Sequence, residues 1–220
     1  MKVKINASES VTAIAYGADK SKQFGATLLL GHGAGVNQTS AFMVNFAESL
    51  ALRGVEVVTF NFLYTEQGRN APDRPDKLEA CYRAVIEAAR KKLKGNRLFI
   101  GGKSMGGRIA SQVAAAGVED LSGLVLLGYP LHPPGKPEQL RAEHLAKIRE
   151  PLLFLQGERD PFGTPDELRP IIKKLKPRAE LYAISGGDHS FAVPKKLGIP
   201  QADVYCAAQD EIARWLQKIW

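Results

Sequence analysis

Ser104 lies in Gly102-Lys103-Ser104-Met105-Gly106, a G-x-S-x-G run placed after the apolar stretch Leu98-Phe99-Ile100 and before a helical pattern. A sharp strand-to-helix turn crowds the serine backbone, and glycines two before and two after leave room for it. A serine hydroxyl is a weak nucleophile until a base removes its proton, and that base must be held in one tautomer by a third group. His189, in Gly186-Gly187-Asp188-His189-Ser190-Phe191, is the candidate base. Asp160, in Gly157-Glu158-Arg159-Asp160-Pro161-Phe162-Gly163, is the candidate acid; Asp188 is its alternative. Both candidates follow strand-like runs, as groups that converge on one edge of a sheet should. The chemistry this set can perform is acyl transfer.

Other readings of the same stretches fail on spacing. Gly102-Lys103-Ser104 resembles the end of a phosphate-binding loop, but Arg97 stands where that motif needs its first glycine. Gly31-His32-Gly33-Ala34-Gly35 resembles a dinucleotide fingerprint, but Val36 replaces its third glycine and Asn61 the acid after the next strand. Of the remaining histidines, His132 and His144 are expected at the surface, and His32 as a structural hydrogen-bonding residue.

The elements that must position these groups are legible in the pattern. Strands are expected near 2–6, 11–17, 26–31, 55–60, 97–102, 122–127, 151–156 and 179–184, each short, aliphatic or β-branched, and bounded by turn residues. The first two alternate and suggest an edge hairpin. From Ala26 onward the strands are continuously apolar, as in a parallel sheet covered on both faces. Helices are expected at 39–53, 76–94, 106–116, 165–175 and 201–218, with a further covering helix within 137–149, where Leu140, His144 and Ile148 are spaced by four. Strand and helix alternate, so the reading is one doubly wound α/β domain over residues 1–220, its mostly parallel eight-stranded sheet carrying helices on both faces and no large cap.

Composition is that of an ordinary globular protein: 45% hydrophobic and 24% charged residues. The formal charge of +7 comes largely from Arg90, Lys91, Lys92 and Lys94, from Lys173, Lys174, Lys176 and Arg178, and from Lys195 and Lys196. Cations at helix C-termini are favoured by the macrodipole, so solvated helix ends explain most of the excess. Without interleaved aromatics or a reading motif, this charge does not make a nucleic-acid surface. Cys81 and Cys206 cannot build a disulfide framework or a CxxC metal site and are expected to be reduced, partly buried thiols. The amino terminus lacks the apolar core of a signal peptide, and no segment approaches the ~18 apolar residues of a membrane span. A cytoplasmic protein, with no membrane partner, is the expectation.

Together, Gly31-His32-Gly33-Ala34-Gly35, the serine turn through Arg108, Gly157–Gly163 and Gly187–Phe191 resemble the α/β-hydrolase superfamily, whose chain order is also Ser, Asp, His. More narrowly, with Asn61-Phe62-Leu63-Tyr64, Gly68-Arg69 and Gly128-Tyr129-Pro130-Leu131, the chain is similar to small dienelactone-hydrolase-related proteins. Within these it resembles the branch of testis-expressed protein 30 and the third subunit of the non-specific-lethal complex. Dienelactone hydrolases proper commonly use a cysteine where Ser104 stands. The resemblance implies hydrolysis without a metal or organic cofactor. It implies an oxyanion hole from the Met105 N–H and one N–H of the 32–35 loop, Ala34 being preferred and Gly33 the alternative.

A serine hydrolase acting on a small carboxylic ester or thioester is therefore the leading reading, and a catalytically silent interaction module on the same fold is the runner-up. The expected substrate contacts are Gly33, Tyr64, Arg69, Lys103, Tyr129, Phe162 and Phe191, with Leu131 beside them on the rim. Lys103 and Arg69 near a shallow cleft suit a small acyl substrate, including anionic ones.

Overall fold

The computed structural model describes residues 1–92, 95–175 and 179–219. Lys94, Lys176, Arg178 and the expected helix end at 93–94 lie outside them. Strands β1 (Lys2–Lys4) and β2 (Ser10–Tyr16) pair antiparallel as the expected edge hairpin. They are followed by β3 (Ala26–Gly31), β4 (Val55–Phe60), β5 (Arg97–Lys103), β6 (Leu121–Leu127), β7 (Leu152–Gly157) and β8 (Ala179–Ile184). All eight form one sheet in the order β1-β2-β4-β3-β5-β6-β7-β8. β2 meets β4 antiparallel, and every later pairing is parallel.

The helices are α1 (Ala41–Ala51), α2 (Leu63–Glu66), α3 (Pro75–Lys92), α4 (Met105–Ala115), α5 (Pro165–Ile172) and α6 (Gln201–Lys218). Successive strand side chains point to opposite faces, and the core divides accordingly. Leu29 packs with Leu78, Tyr82 and Val85 of α3 and with Ile109 and Val113 of α4. Its neighbours Leu28 and Leu30 pack with Phe46 and Leu50 of α1 and with Ile212 and Trp215 of α6. Two covered faces are why β3, β5, β6 and β7 read as unbroken apolar runs. Local signals set the helix ends: Thr164 caps α5, accepting from the Glu167 N–H at 3.4 Å, while the Glu167 carboxylate accepts from the Thr164 N–H at 2.7 Å. Lys91 and Lys92 close α3 in solvent.

The structure corrects the sequence in two connections. The 61–75 segment, where no regular element is expected, contains α2, whose four residues are too few to show a helical period. The covering helix expected within 137–149 is only a 3₁₀ turn, Glu143–Lys147. The Arg141 N–H donates to the Leu131 carbonyl at 2.7 Å and the Tyr129 hydroxyl to the Arg141 carbonyl at 2.7 Å, so the chain is folded back until residue 141. Leu140 is left 52% exposed while Ile148 is buried, which breaks the apparent stripe.

Candidate active site

Where β5 passes into α4, Ser104 adopts φ 50° and ψ −115°, a conformation that costs a non-glycine residue on the order of 1–3 kcal/mol. The flanking glycines make it possible through space. A Cβ on Gly102 would lie 2.3 Å from the Gly31 carbonyl oxygen, and one on Gly106 would lie 2.1 Å from the same atom. β3 thus lies directly against the turn. The Ser104 N–H donates to the Leu127 carbonyl at 2.9 Å, fixing the turn to β6 as well.

Ser104 Oγ lies 2.9 Å from His189 Nε2, and His189 Nδ1 lies 2.7 Å from Asp160 Oδ2. The Asp160 carboxylate is fully buried, whereas His189 keeps 21% of its side chain exposed. Asp160 accepts two further hydrogen bonds, from the Phe162 N–H at 2.8 Å and from Gln156 Nε2 at 2.9 Å. The Phe162 ring covers the imidazole, with centroids 4.4 Å apart. Asp188 does not reach His189 in this way: its Oδ1 accepts from the Ser190 and Ala192 N–H groups at 2.8 and 2.9 Å and shapes the loop that carries the histidine.

Gln156 escaped the sequence reading. Besides Asp160 it donates to the Gly163 carbonyl at 2.6 Å and accepts from the Tyr129 N–H at 2.8 Å. Its signal was a lone polar residue ending the run Leu152-Leu153-Phe154-Leu155, since a buried amide needs several partners.

Gly33, Ala34 and Met105 all line the cleft in front of Ser104. Met105 is the first residue of α4, where the amide N–H has no acceptor within the helix. The 32–35 loop is held by His32, which is buried: Nδ1 meets the Gly33 carbonyl at 2.7 Å and Nε2 accepts from the Phe62 N–H at 3.1 Å. That pattern defines the neutral Nδ1–H tautomer, and burial lowers the histidine's pKa against the opposing pull of the Gly33 carbonyl.

The cleft measures about 490 Å³ and is walled by Val36, Pro72, Pro75, Leu78, Ile109 and Pro130. Its polar lining includes Asp73, Lys103, Arg108 and Arg141. A larger hollow of about 840 Å³, between the end of α4 and residues 147–150, contains none of the groups described above.

Of the residues expected to contact substrate, Gly33, Lys103 and Phe162 line this cleft. Tyr64, Tyr129, Leu131 and Phe191 do not form its rim; all four are fully buried. Their apolar area is better satisfied in the core, where Tyr129 stacks edge-on against Phe154 and Phe191 against Phe42. Arg69 does not line the cleft itself; its guanidinium is held by Gln67 at 2.9 Å and by Asp73, a lining residue, at 2.6 Å.

Lys103 is only 8% exposed, and its Nζ has no hydrogen-bond partner among the described residues. The ammonium sits 5.7 Å from the Phe42 ring centroid and 5.8 Å from that of Phe191. Burial pulls its pKa down to about 8, against the attraction of Asp160 and Asp188. His32 is the structural hydrogen-bonding residue expected, whereas His132 and His144 are not at the surface. His132 is buried against Glu167 at 3.1 Å, and His144 is half-buried with Nε2 2.8 Å from Ser111 Oγ. Cys81 is buried, its thiol pushed up to about 12 by desolvation, while Cys206 is exposed on α6 rather than partly buried.

A mostly parallel eight-stranded sheet with a strained serine at the carboxyl end of β5 defines an α/β hydrolase. The chain belongs to that family: the model of the alpha/beta hydrolase domain matches residues 24–217. Solved structures share the fold at low sequence identity. An alpha-beta serine hydrolase homologue from Coxiella burnetii is 16% identical at a TM-score of 0.77, over 98% of this chain and 96% of its own. A dienelactone hydrolase from Anabaena variabilis is 17% identical at 0.77, over 99% and 95%. A serine hydrolase without lid from Xanthomonas campestris is 18% identical at 0.74, over 98% and 93%. Among the described residues, no helix is long and apolar enough to cross a membrane.

Proposed function

We propose that this chain is a serine hydrolase that cleaves small carboxylic esters, or thioesters, through an acyl-enzyme formed on Ser104. The observation that carries this reading is the continuous hydrogen-bonded chain from Ser104 Oγ through His189 to buried Asp160, opening on a cleft. In this reading His189 Nε2 takes the Ser104 proton as Oγ attacks the substrate carbonyl, and Asp160 holds the Nδ1–H tautomer and offsets the imidazolium charge. The N–H groups of Met105 and Ala34 receive the oxyanion. Collapse breaks the bond to the alcohol or thiol, which leaves with the proton from His189. Water, deprotonated by the same nitrogen, then releases the acid and restores Ser104.

Labelling with a fluorophosphonate probe tests the reading. Wild type should be modified at Ser104 and Ser104→Ala should not. A folded wild-type protein that neither reacts nor turns over any activated ester would instead be an interaction module on this fold. The 128–150 segment is tied back on itself and holds one 3₁₀ turn, so it supplies no cover for a lipid site. kcat/KM should therefore fall from acetyl and butyryl toward palmitoyl esters, with no activation at a lipid–water interface; a long-chain optimum would contradict this. We also place the chain in the testis-expressed protein 30 branch and in the cytoplasm, a reducing setting that suits Cys81 and Cys206 as free thiols.

A further inference from the structure

Two arginines line the cleft beside Ser104 without an acidic partner. Arg108 lies one turn into α4, its N–H bonded to the Ser104 carbonyl at 3.0 Å. Helical side chains lean toward the helix N-terminus, which carries the Arg108 stem back toward the serine. Its Nε is buried and has no hydrogen-bond partner among the described residues. Arg141 comes from a different element, the folded-back 128–142 segment, where its own N–H and carbonyl are both fixed, to Leu131 and Tyr129. The two guanidiniums are close enough to repel: the basicity of Arg141 is lowered first by burial and then by the charge of Arg108.

Neither arginine forms an ion pair with a carboxylate among the described residues, although surface arginines of this chain do so repeatedly, as Arg53 with Asp210 and Arg214 with Glu211 show. The one acid lining the cleft, Asp73, gives Oδ1 to Arg69 at 2.6 Å, and its other oxygen, Oδ2, is buried and pairs with neither arginine among the described residues. His144 feels Arg108 as a repulsion, and the Tyr129 hydroxyl, pushed up by burial, faces both arginines without a charge to offset them. Two like charges held together, half-buried and without a counter-ion, are destabilising on their own. They become favourable once an anion accepts their N–H forks, a geometry that suits a carboxylate or phosphate.

We propose that Arg108 and Arg141 form an anion-binding subsite beside Ser104 for a carboxylate or phosphate carried by the substrate. This rests on the reading of Ser104 as the nucleophile, and it places the anion on the α4 side of the cleft. The lysine and arginine named from sequence, Lys103 and Arg69, do not serve it: one is enclosed between aromatic rings and the other is paired with Asp73.

Two acids compared with their uncharged primary amides test the subsite and locate the anion. 4-Nitrophenyl hemiglutarate carries the charge on the acyl side, and 4-acetoxybenzoate carries it on the leaving group. For at least one, wild-type kcat/KM should exceed that of the amide by ten-fold or more. The preference should fall to near unity in Arg108→Gln/Arg141→Gln and persist in part in Arg141→Lys. Arg141→Gln alone, at a half-exposed side chain, should cut the preference if the double variant does not fold. A measurement independent of turnover separates this idea from its parent: glutarate titrated into Ser104→Ala should bind, and bind at least ten-fold more weakly after Arg141→Gln or in ~0.5 M salt. If wild type cleaves no ester, the hydrolase reading falls and the glutarate titration alone decides the subsite. Acids no better than their amides, a preference that survives the double substitution, or no glutarate binding would overturn it.

Discussion

The molecule contains two serine–histidine contacts of nearly equal length, both begun from the same helix. Ser104 Oγ meets His189 at 2.9 Å just before α4, and Ser111 Oγ meets His144 at 2.8 Å within it. Behind His189 stands the Asp160 carboxylate. Beside His144 stand the Tyr129 hydroxyl, 3.4 Å from the same nitrogen, and the cations Arg108 and Lys147, and no carboxylate pairs with it among the described residues. Burial first, then those charges, push His144 down to about 4, so it stays neutral and cannot support an imidazolium near neutral pH. Ser111 is also fully buried and its hydroxyl lies 2.7 Å from the Arg108 carbonyl, whereas Ser104 opens on the cleft. A serine touching a histidine is therefore an inexpensive feature of a packed helix. Reactivity requires in addition the acid, the strained backbone and access.

The sharpest way to break the comparison is to delete each hydroxyl. Ser104→Ala should lower kcat by as much as ~10⁶, as loss of a triad nucleophile does elsewhere. Ser111→Ala should leave turnover near wild type and cost about 1 kcal/mol of stability in lost hydrogen bonds. Similar turnover in the two variants, measured on 4-nitrophenyl acetate, would erase the distinction. Next in size is the acid. Asp160→Asn should slow kcat by ~10⁴, while Asp188→Asn, whose Oδ1 bonds loop amides rather than His189, should lose little. The reverse ranking would move the acid to Asp188.

Smaller effects concern the charges near each pair. Lys103 has a folded pKa of about 8, below its ordinary 10.5. Between these values the unfolded chain holds a proton that the folded chain has released, so this group makes stability rise with pH across that window, and its full cost is present below pH 8. Lys103→Met should then be more stable than wild type at pH 7 by about 1–3 kcal/mol in urea unfolding, an advantage that shrinks toward pH 10. An advantage independent of pH would point to packing alone. For His144 the folded value of about 4 lies below 6.5, so its contribution is present above 6.5 and lost as pH falls through 4. His144→Gln should flatten the fall of Tm over that range; an unchanged slope would show that other groups carry the acid sensitivity.

Sequence made the sheet legible because each buried strand is a short apolar run closed by turn residues. β3, β4 and β8 fall on the expected bounds, and the others are displaced at their ends by one or two residues. Ser104, Asp160 and His189 could be chosen together because each follows such a run, and the structure brings the three within hydrogen-bonding distance. The cleft lining was legible only in part, at Gly33, Lys103 and Phe162. An aromatic residue beside a motif has the same sequence signature whether it faces in or out, and Tyr64, Tyr129 and Phe191 face in. Arg108 and Arg141 come together only because residue 141 is tied to Leu131 and Tyr129, a contact no periodicity encodes. His144 was misplaced for the same reason: its four-residue spacing from Leu140 looked helical, yet the chain there makes a 3₁₀ turn.

The contact of Gly31 with Gly102 and Gly106 also bears on how the protein assembles. The left-handed serine is unfavourable in an isolated β5–α4 segment, and what holds it is the β3 carbonyl pressed against both glycines together with the hydrogen bond to Leu127 on β6. β3 and β5 are far apart in the chain, so their pairing is a non-local contact that no short segment can make. The serine turn is thus a product of tertiary pairing, held only where three parallel strands are in register. A β5–α4 segment without β3 beside it would hold Ser104 in an ordinary backbone conformation.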